Sequence, residues 1–182
     1  MTKKKKIIWF TGLSGVGKTT LSDMLIKKLS KSKYKILKID GDIFRRKIKL
    51  KSSFTKKNII YNNLKIISYI KKKFTKFDYT IVSVISPLKL TRNKAQSIFK
   101  DNYYEIYLYC PLKELIKRDT KGLYLMAKQK KIKNLIGFNS NINYEISSHK
   151  KIKINTKITN KKKALQKILN KIDKKRIKKV SK

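Results

Sequence analysis

The segment 7–29, IIWFTGLSGVGKTTLSDMLIKKL, decides the fold. Residues 7–13 form an apolar run with the length and β-branched character of a buried strand. Residues 18–29 place Leu21, Met24, Leu25 and Leu29 on one face of a helix. At the junction, Gly12-Leu13-Ser14-Gly15-Val16-Gly17-Lys18-Thr19 matches G-x-x-x-x-G-K-[ST] in full, in the strand–loop–helix setting that the pattern requires. Glycines let backbone N–H groups curl around a phosphate, and the helix N-terminus adds positive potential. Lys18 is placed to reach β- and γ-phosphates, the Thr19 hydroxyl to ligate Mg²⁺, and Thr20 joins the loop as a nucleotide-binding position. A Gly-rich turn with an incidental lysine is the plainer alternative, but the complete motif in its proper setting favours nucleotide binding.

Outward from this loop, short apolar runs alternate with amphipathic ones. Strands are expected over residues 34–39, 79–85, 104–110 and Lys151–Asn155, the second being the best candidate for a central parallel strand. Helices are expected over 58–74, with Ile60, Leu64, Ile67, Ile70 and Phe74 in phase, over Lys89–Phe99, and over Leu112–Arg118 after Pro111. A basic closing helix over 161–182 is marked by Ala164, Leu165, Ile168, Leu169, Ile172 and Ile177. Periodicity fails over 119–148, a length that implies a functional lid or a disordered insert. The alternation predicts one α/β domain, 1–182, with a mainly parallel sheet.

The chain has 182 residues, 50 Lys+Arg against 10 Asp+Glu, and a formal charge of +40, which taken alone suggests a nucleic-acid partner. Only five of the basic residues are Arg, the preferred reader of phosphate forks and base edges. Lys, Ile and Asn supply 84 residues and Ala three, a bias that A/T-rich codons explain without a partner. No specific nucleic-acid partner is therefore expected. No apolar run nears the ~20 residues of a membrane-spanning helix, so no membrane association is expected. Lys3 to Lys6 before an apolar run faintly imitates a secretion signal, but Thr11, Gly12 and Ser14 interrupt it. A lone Cys110 excludes an intramolecular disulfide and agrees with a reducing cytoplasm.

The phosphate loop leaves kinases, GTPases and ATPase motors open. No N-K-x-D guanine reader occurs, and strand 79–85 ends in Ser86-Pro87 without an acidic residue. Asp40-Gly41-Asp42, at the carboxyl end of the second strand, supplies the missing carboxylates at the edge where open parallel sheets bind ligands. A solvated Asp-Gly turn is the bland reading. A small-molecule kinase is the better one, with Asp42 as base or hydroxyl orienter and Asp40 steering Mg²⁺-bound water.

These segments together resemble the adenylylsulfate (APS) kinase family. The opening Ile7 to Thr20 is joined, in the family's order, by Asp40-Gly41-Asp42-x-x-Arg45, by Phe54-Thr55 with Asn62, and by Val84-Ile85-Ser86-Pro87 with Arg92. Lys117-Arg118-Asp119-x-Lys121-Gly122-Leu123-Tyr124-x-x-Ala127, Ile132-Lys133-Asn134-x-x-Gly137 and Tyr144-Glu145 follow. The resemblance spans about residues 7–156 and implies a three-layer P-loop NTPase-type α/β domain with a lid. It also implies transfer of the ATP γ-phosphate to the 3′-hydroxyl of APS, giving PAPS, in a homodimeric enzyme.

Carried over by position, the resemblance has Asp42 activate the 3′-hydroxyl and Arg45 hold the phosphosulfate. Phe54 would stack on the acceptor adenine, Asn62 would contact the acceptor, and Arg92 would sit by its anionic end. Ile85 joins Ser86 as an acceptor contact. Ser86 aligns with the serine credited with a phosphoserine intermediate, although positioning and Mg²⁺ suffice for direct in-line transfer. Arg118 and the 119–148 lid would cover both nucleotides, with Lys121 nearest the phosphates and Gly122, Leu123 and Leu135 against the acceptor.

Some positions depart from the family pattern. Asn58 and Ile59 stand where it has Asp-Arg, the Asn-Ile-Arg-Arg segment is reduced to Asn62-Asn63-Leu64-Lys65, Leu125 replaces a lysine and Asn155 an aspartate. Leu135 replaces the lid's stacking Phe, at a cost of about 1–3 kcal/mol of base–aromatic stacking. Nearby lysines can stand in for a lost Arg as point charges. Two alternatives therefore accompany APS phosphorylation: kinase chemistry on another nucleotide-like acceptor such as a cytidine diphospho compound, and a basic nucleic-acid-binding module with a vestigial loop. Three further residues read as structural: His149 as a loop residue, Cys110 as a small core residue, and Tyr103, Tyr107 and Tyr109 as period-two sheet packing.

Overall fold

The computed structural model describes residues 5–49 and 55–172. Strand β1 (Lys6–Thr11) is the hub, because its apolar run alternates between two cores. Ile8 and Phe10 face a cluster that includes Leu21, Leu25, Ile106, Leu108 and Ile168, whereas Ile7 and Trp9 face Ile66, Ile70, Val82, Ala95 and Phe99. A strand apolar on both faces has to lie inside a three-layer domain, and residues 7 to 10 are fully buried.

Four further strands, β2 (Ile36–Asp40), β3 (Tyr79–Ser83), β4 (Tyr103–Tyr109) and β5 (Lys151–Asn155), complete one sheet in the order β2-β3-β1-β4-β5. Every pairing is parallel, with Phe10 opposite Ser83, Asp40 opposite Ser83 and Tyr109 opposite Asn155. All five carboxyl ends therefore lie along one edge. Helices α1 (Lys18–Ser30) and α7 (Lys161–Ile172) bury their apolar stripes, Leu21-Leu25-Leu29 and Ala164-Ile168-Ile172, on one face of the sheet. Helices α3 (Lys56–Lys73) and α4 (Lys89–Phe99) cover the other face.

The expected α/β domain with a parallel sheet is the architecture observed, and most bounds agree within two residues. Strand β3 stops at Ser83 because Val84 to Pro87 peel off toward the site, with Ser86 at a positive φ of 46°. Two short helices lie where none was expected. Helix α2 (Gly41–Lys47) starts in the Asp-Gly-Asp turn because Asp40 caps it, its Oδ1 accepting from the N–H groups of Asp42 at 2.9 Å and Ile43 at 3.2 Å. Within the lid, helix α6 (Leu123–Lys128) follows α5 (Leu112–Arg118), and Asp119 accepts from the N–H groups of Tyr124 and Leu125 at α6's start. Six residues are too few for a periodic signal. The closing helix is described to Ile172, and its expected extension through 182 lies outside the described residues.

Cys110 is a buried free thiol in the core, as expected. Tyr103 packs on Trp9, while Tyr107 stacks on Tyr109 and Tyr144. His149 is a loop residue, as expected, but not an exposed one. It is half-buried, its Nε2 lies 2.8 Å from Glu105 Oε2, and its Nδ1 lies 3.1 Å from Asn93 Oδ1.

Truncating β1 tests this packing. Ile8→Ala should lower the unfolding free energy by about 2–5 kcal/mol in urea titrations. Leu125→Ala, at an exposed position, should change it by less than about 0.5 kcal/mol.

Candidate active site

A cleft of about 890 Å³ opens along the carboxyl edge of the sheet, a size typical of small-molecule sites. Its floor is the loop between β1 and α1. Gly12 has φ 138°, and a Cβ there would lie 2.1 Å from the Leu108 carbonyl oxygen, so only glycine fits. Gly17, at φ 95°, leads into α1 without a capping side chain, and a Cβ on it would meet nothing within 4 Å. The first-turn N–H groups of α1 thus face the cleft as an anion site.

Lys18 Nζ donates to the carbonyl oxygens of Gly12 at 2.9 Å and Leu13 at 2.8 Å. Burial, with repulsion from Lys121, pushes its pKa down to about 7 against the pull of Asp42 and Asp40. Thr19 Oγ1 lies 3.5 Å from Asp40 Oδ2, the carboxylate oxygen that capping of α2 leaves over. A hydroxyl and a carboxylate oxygen suit a hard cation that keeps waters and takes its other ligands from phosphates. Among the described residues no group of three or more His, Cys, Asp or Glu could hold a metal.

Asp42, beside them, is held between cations. Arg45 donates to its Oδ1, and Lys121 Nζ donates to its Oδ2 at 3.2 Å. Burial pushes its carboxyl up, but Arg45, Lys121 and Lys18 outweigh this and keep it below the usual carboxylate range. The Lys121 bond crosses from the lid to α2 and bridges the cleft. The lid is further tied to the phosphate loop by Tyr124, whose buried hydroxyl donates to the Ser14 carbonyl at 3.0 Å.

The opposite wall is mostly apolar, with Ile59, Ile85, Pro87, Leu135 and Ile136 lining it. Two amide side chains of α3 interrupt it. Asn62 and Asn63 are buried, and among the described residues the Oδ1 of each has no hydrogen-bond partner. Ser86 also lines the cleft, with its Oγ buried 3.4 Å from Thr91 Oγ1.

Most residues singled out from sequence converge here. Ser14 to Thr20, Asp40, Asp42, Arg45, Asn62, Ile85, Ser86, Arg118, Lys121, Leu123 and Leu135 all line the cleft. Gly12 and Leu13 lie behind the loop as acceptors for Lys18, and Gly122 at φ 65° is the N-cap of α6. Phe54 lies outside the described residues. Arg92 departs from its expected place at the acceptor's anionic end: it is fully buried, does not line the cleft, and is occupied by internal partners.

Residues 156–162, the loop after β5 and the first residues of α7, form a wall that sequence reading missed. Arg118 reaches it, donating to the Thr156 carbonyl at 3.2 Å. Its position after a parallel strand, at the carboxyl edge, was the available signal.

Because phosphate anions favour the charged form of Lys18, triphosphate binding should be accompanied by proton uptake above pH 7. ATP affinity should therefore fall as pH rises from 7 to 9. Calorimetry in buffers of different ionisation enthalpy should register the uptake, and Lys18→Met should abolish it.

The family model for adenylylsulphate kinase matches residues 4–155. A probable adenylyl-sulfate kinase of Archaeoglobus fulgidus is 35% identical over 150 residues, 82% of this chain and 95% of the relative. A probable adenylyl-sulfate kinase of Pyrococcus abyssi is 38% identical over 82% of this chain and 84% of its own length. In structure, the APS kinase of Mycobacterium tuberculosis, solved with AMPPNP and APS, superposes with a TM-score of 0.82 at 23% identity, covering 94% of this chain and 99% of that one. That likeness supports the fold alone, whereas the sequence matches cover most of the chain. The chain belongs to the adenylylsulphate kinase family.

Proposed function

We propose that the chain transfers the γ-phosphate of ATP to the 3′-hydroxyl of adenosine 5′-phosphosulfate. The observation that carries this reading is the meeting of a complete phosphate loop with an ionised Asp42 at one edge of the sheet, under a lid anchored at both. Phosphoryl transfer through a loose transition state needs little proton abstraction before bond breaking, so an orienting carboxylate serves better than a strong base. Asp42, held by Arg45 and Lys121 and kept ionised, accepts the hydrogen of the acceptor hydroxyl and aims its oxygen at the phosphorus.

Lys18 and the first-turn N–H groups of α1 hold the triphosphate, and Lys18 offsets charge on the transferring group. Thr19 and Asp40 would hold Mg²⁺, which supplies neutralisation of the β- and γ-oxygens when bound. Tyr124 and Lys121 close the lid and keep water from competing with the acceptor. The apolar wall of Ile59, Leu135 and Ile136 takes the acceptor base by burial, with Asn62 toward the same nucleotide. Ser86 acts through its place in that wall and needs no covalent role. The alternative acceptors and a nucleic-acid role have no comparable support among the relatives.

Among the described residues no helix is long and apolar enough to cross a membrane. The family resemblance supports a cytoplasmic homodimer, a state that light scattering of the purified chain measures directly.

Incubating the chain with γ-labelled ATP and APS should yield labelled PAPS. Asp42→Asn should slow turnover about 10²–10⁴-fold while ATP still binds. Unchanged turnover in that variant would remove the assignment of Asp42, and wild-type protein that binds ATP without making PAPS would overturn the function.

A further inference from the structure

Behind the acceptor wall sits a buried cation that the reaction as described does not use. Arg92, on α4, is fully buried, and its guanidinium is divided among several partners. Nε donates to Ser147 Oγ at 2.9 Å, Nη1 to the Ser86 carbonyl and Nη2 to the Glu145 carbonyl. Its counter-charge is Glu105 on β4, 3.4 Å away and itself buried, and the Tyr144 ring lies 5.0 Å from the guanidinium carbon.

These contacts belong to parts of the chain that must act together. Ser86 is the cleft-lining residue held at positive φ between β3 and α4. Residues 144–147 are the segment by which the lid returns to β5. The Tyr144 hydroxyl lies 2.7 Å from Thr11 Oγ1, whose own hydrogen goes to the Ile85 carbonyl at 2.6 Å, and Thr11 is the last residue of β1 before the phosphate loop. The lid's return is joined to the acceptor wall a second time, because Glu145 N–H donates to the Pro87 carbonyl at 2.9 Å. A buried ion pair is a weak source of stability, since well-packed apolar residues often do as well. Arg offers what they lack, a rigid fork of five donors that fixes several acceptors relative to one another.

We propose that Arg92 is a positioning residue for the acceptor nucleotide: without touching it, Arg92 locks the Ser86 backbone and the lid's return in one register with the phosphate loop. Glu105 and Ser147 hold the fork in orientation. This rests on the APS kinase reading above.

The experiment compares wild type with Arg92→Lys, which keeps the charge opposite Glu105 but loses the fork, and with Ser147→Ala, which removes one acceptor. For each, KM for APS, Kd for ATP, and the ratio of PAPS formed to ATP hydrolysed without transfer are measured. Arg92→Lys should raise KM for APS about tenfold or more and lower the coupling ratio, while Kd for ATP stays within about twofold. Ser147→Ala should shift the same quantities in the same direction by less, and it carries the test if Arg92→Lys does not fold. Loss of ATP and APS affinity in equal proportion, or no change in either, would overturn the proposal and leave Arg92 a structural residue. A wild type that makes no PAPS would instead overturn the parent reading and the proposal with it.

Discussion

The contact between Gly12 and the Leu108 carbonyl is the constraint on which the rest depends. The loop leaving β1 turns so tightly against β4 that a Cβ at residue 12 would come within 2.1 Å of that oxygen. The turn can be this tight because residues 7–11 of β1 are fully buried between two cores and flanked by parallel neighbours, so the strand's end cannot shift. From there the backbone swings through Gly15 and Gly17 into α1 and points its N–H groups at the cleft. Asp40 at the end of β2 and Ser83 at the end of β3 lie in register beside it, which sets the distance between phosphate loop and carboxylates.

Electrostatics then distributes the roles. Three cations and two carboxylates meet in a small volume: Asp42 stays ionised because Arg45, Lys121 and Lys18 surround it, and Lys18 is driven toward neutrality by burial and by Lys121. With 50 basic residues in the chain, charge alone distinguishes nothing, whereas the ten acidic residues stand out. Asp23 and Asp78 pair with surface lysines, Glu105 with a buried arginine, and Asp40 and Asp42 face the cleft. The family match places this chemistry among APS kinases, and the +40 charge is then a background against which the cleft's carboxylates stand out.

The sheet and most of the site were legible because their signals are local. A strand apolar on both faces, a loop motif and an Asp-Gly-Asp turn each announce themselves within a dozen residues. What escaped was built by distant partners. Arg92 sits in a helix whose neighbouring Thr91, Asn93 and Lys94 look exposed in sequence, and its burial depends on Glu105, Glu145 and Ser147 arriving from other elements. His149 is the same case, since its partner Glu105 is 44 residues away in sequence. The capping of α6 by Asp119 and the wall at 156–162 have no periodic signature, because they are short and polar.

Under the proposed function, an apolar wall in which Leu135 stands for one of the family's stacking aromatics still selects adenosine 5′-phosphosulfate. The most direct test of that selection is kcat/KM for APS set beside those for adenosine 5′-phosphate and a cytidine diphospho compound, with ATP saturating. The highest value is expected with APS, since under the proposed function its anionic phosphosulfate lies beside Arg45 and Lys121 and its adenine against Ile59, Leu135 and Ile136, all of which line the cleft. Equal or faster phosphorylation of the cytidine compound would contradict it.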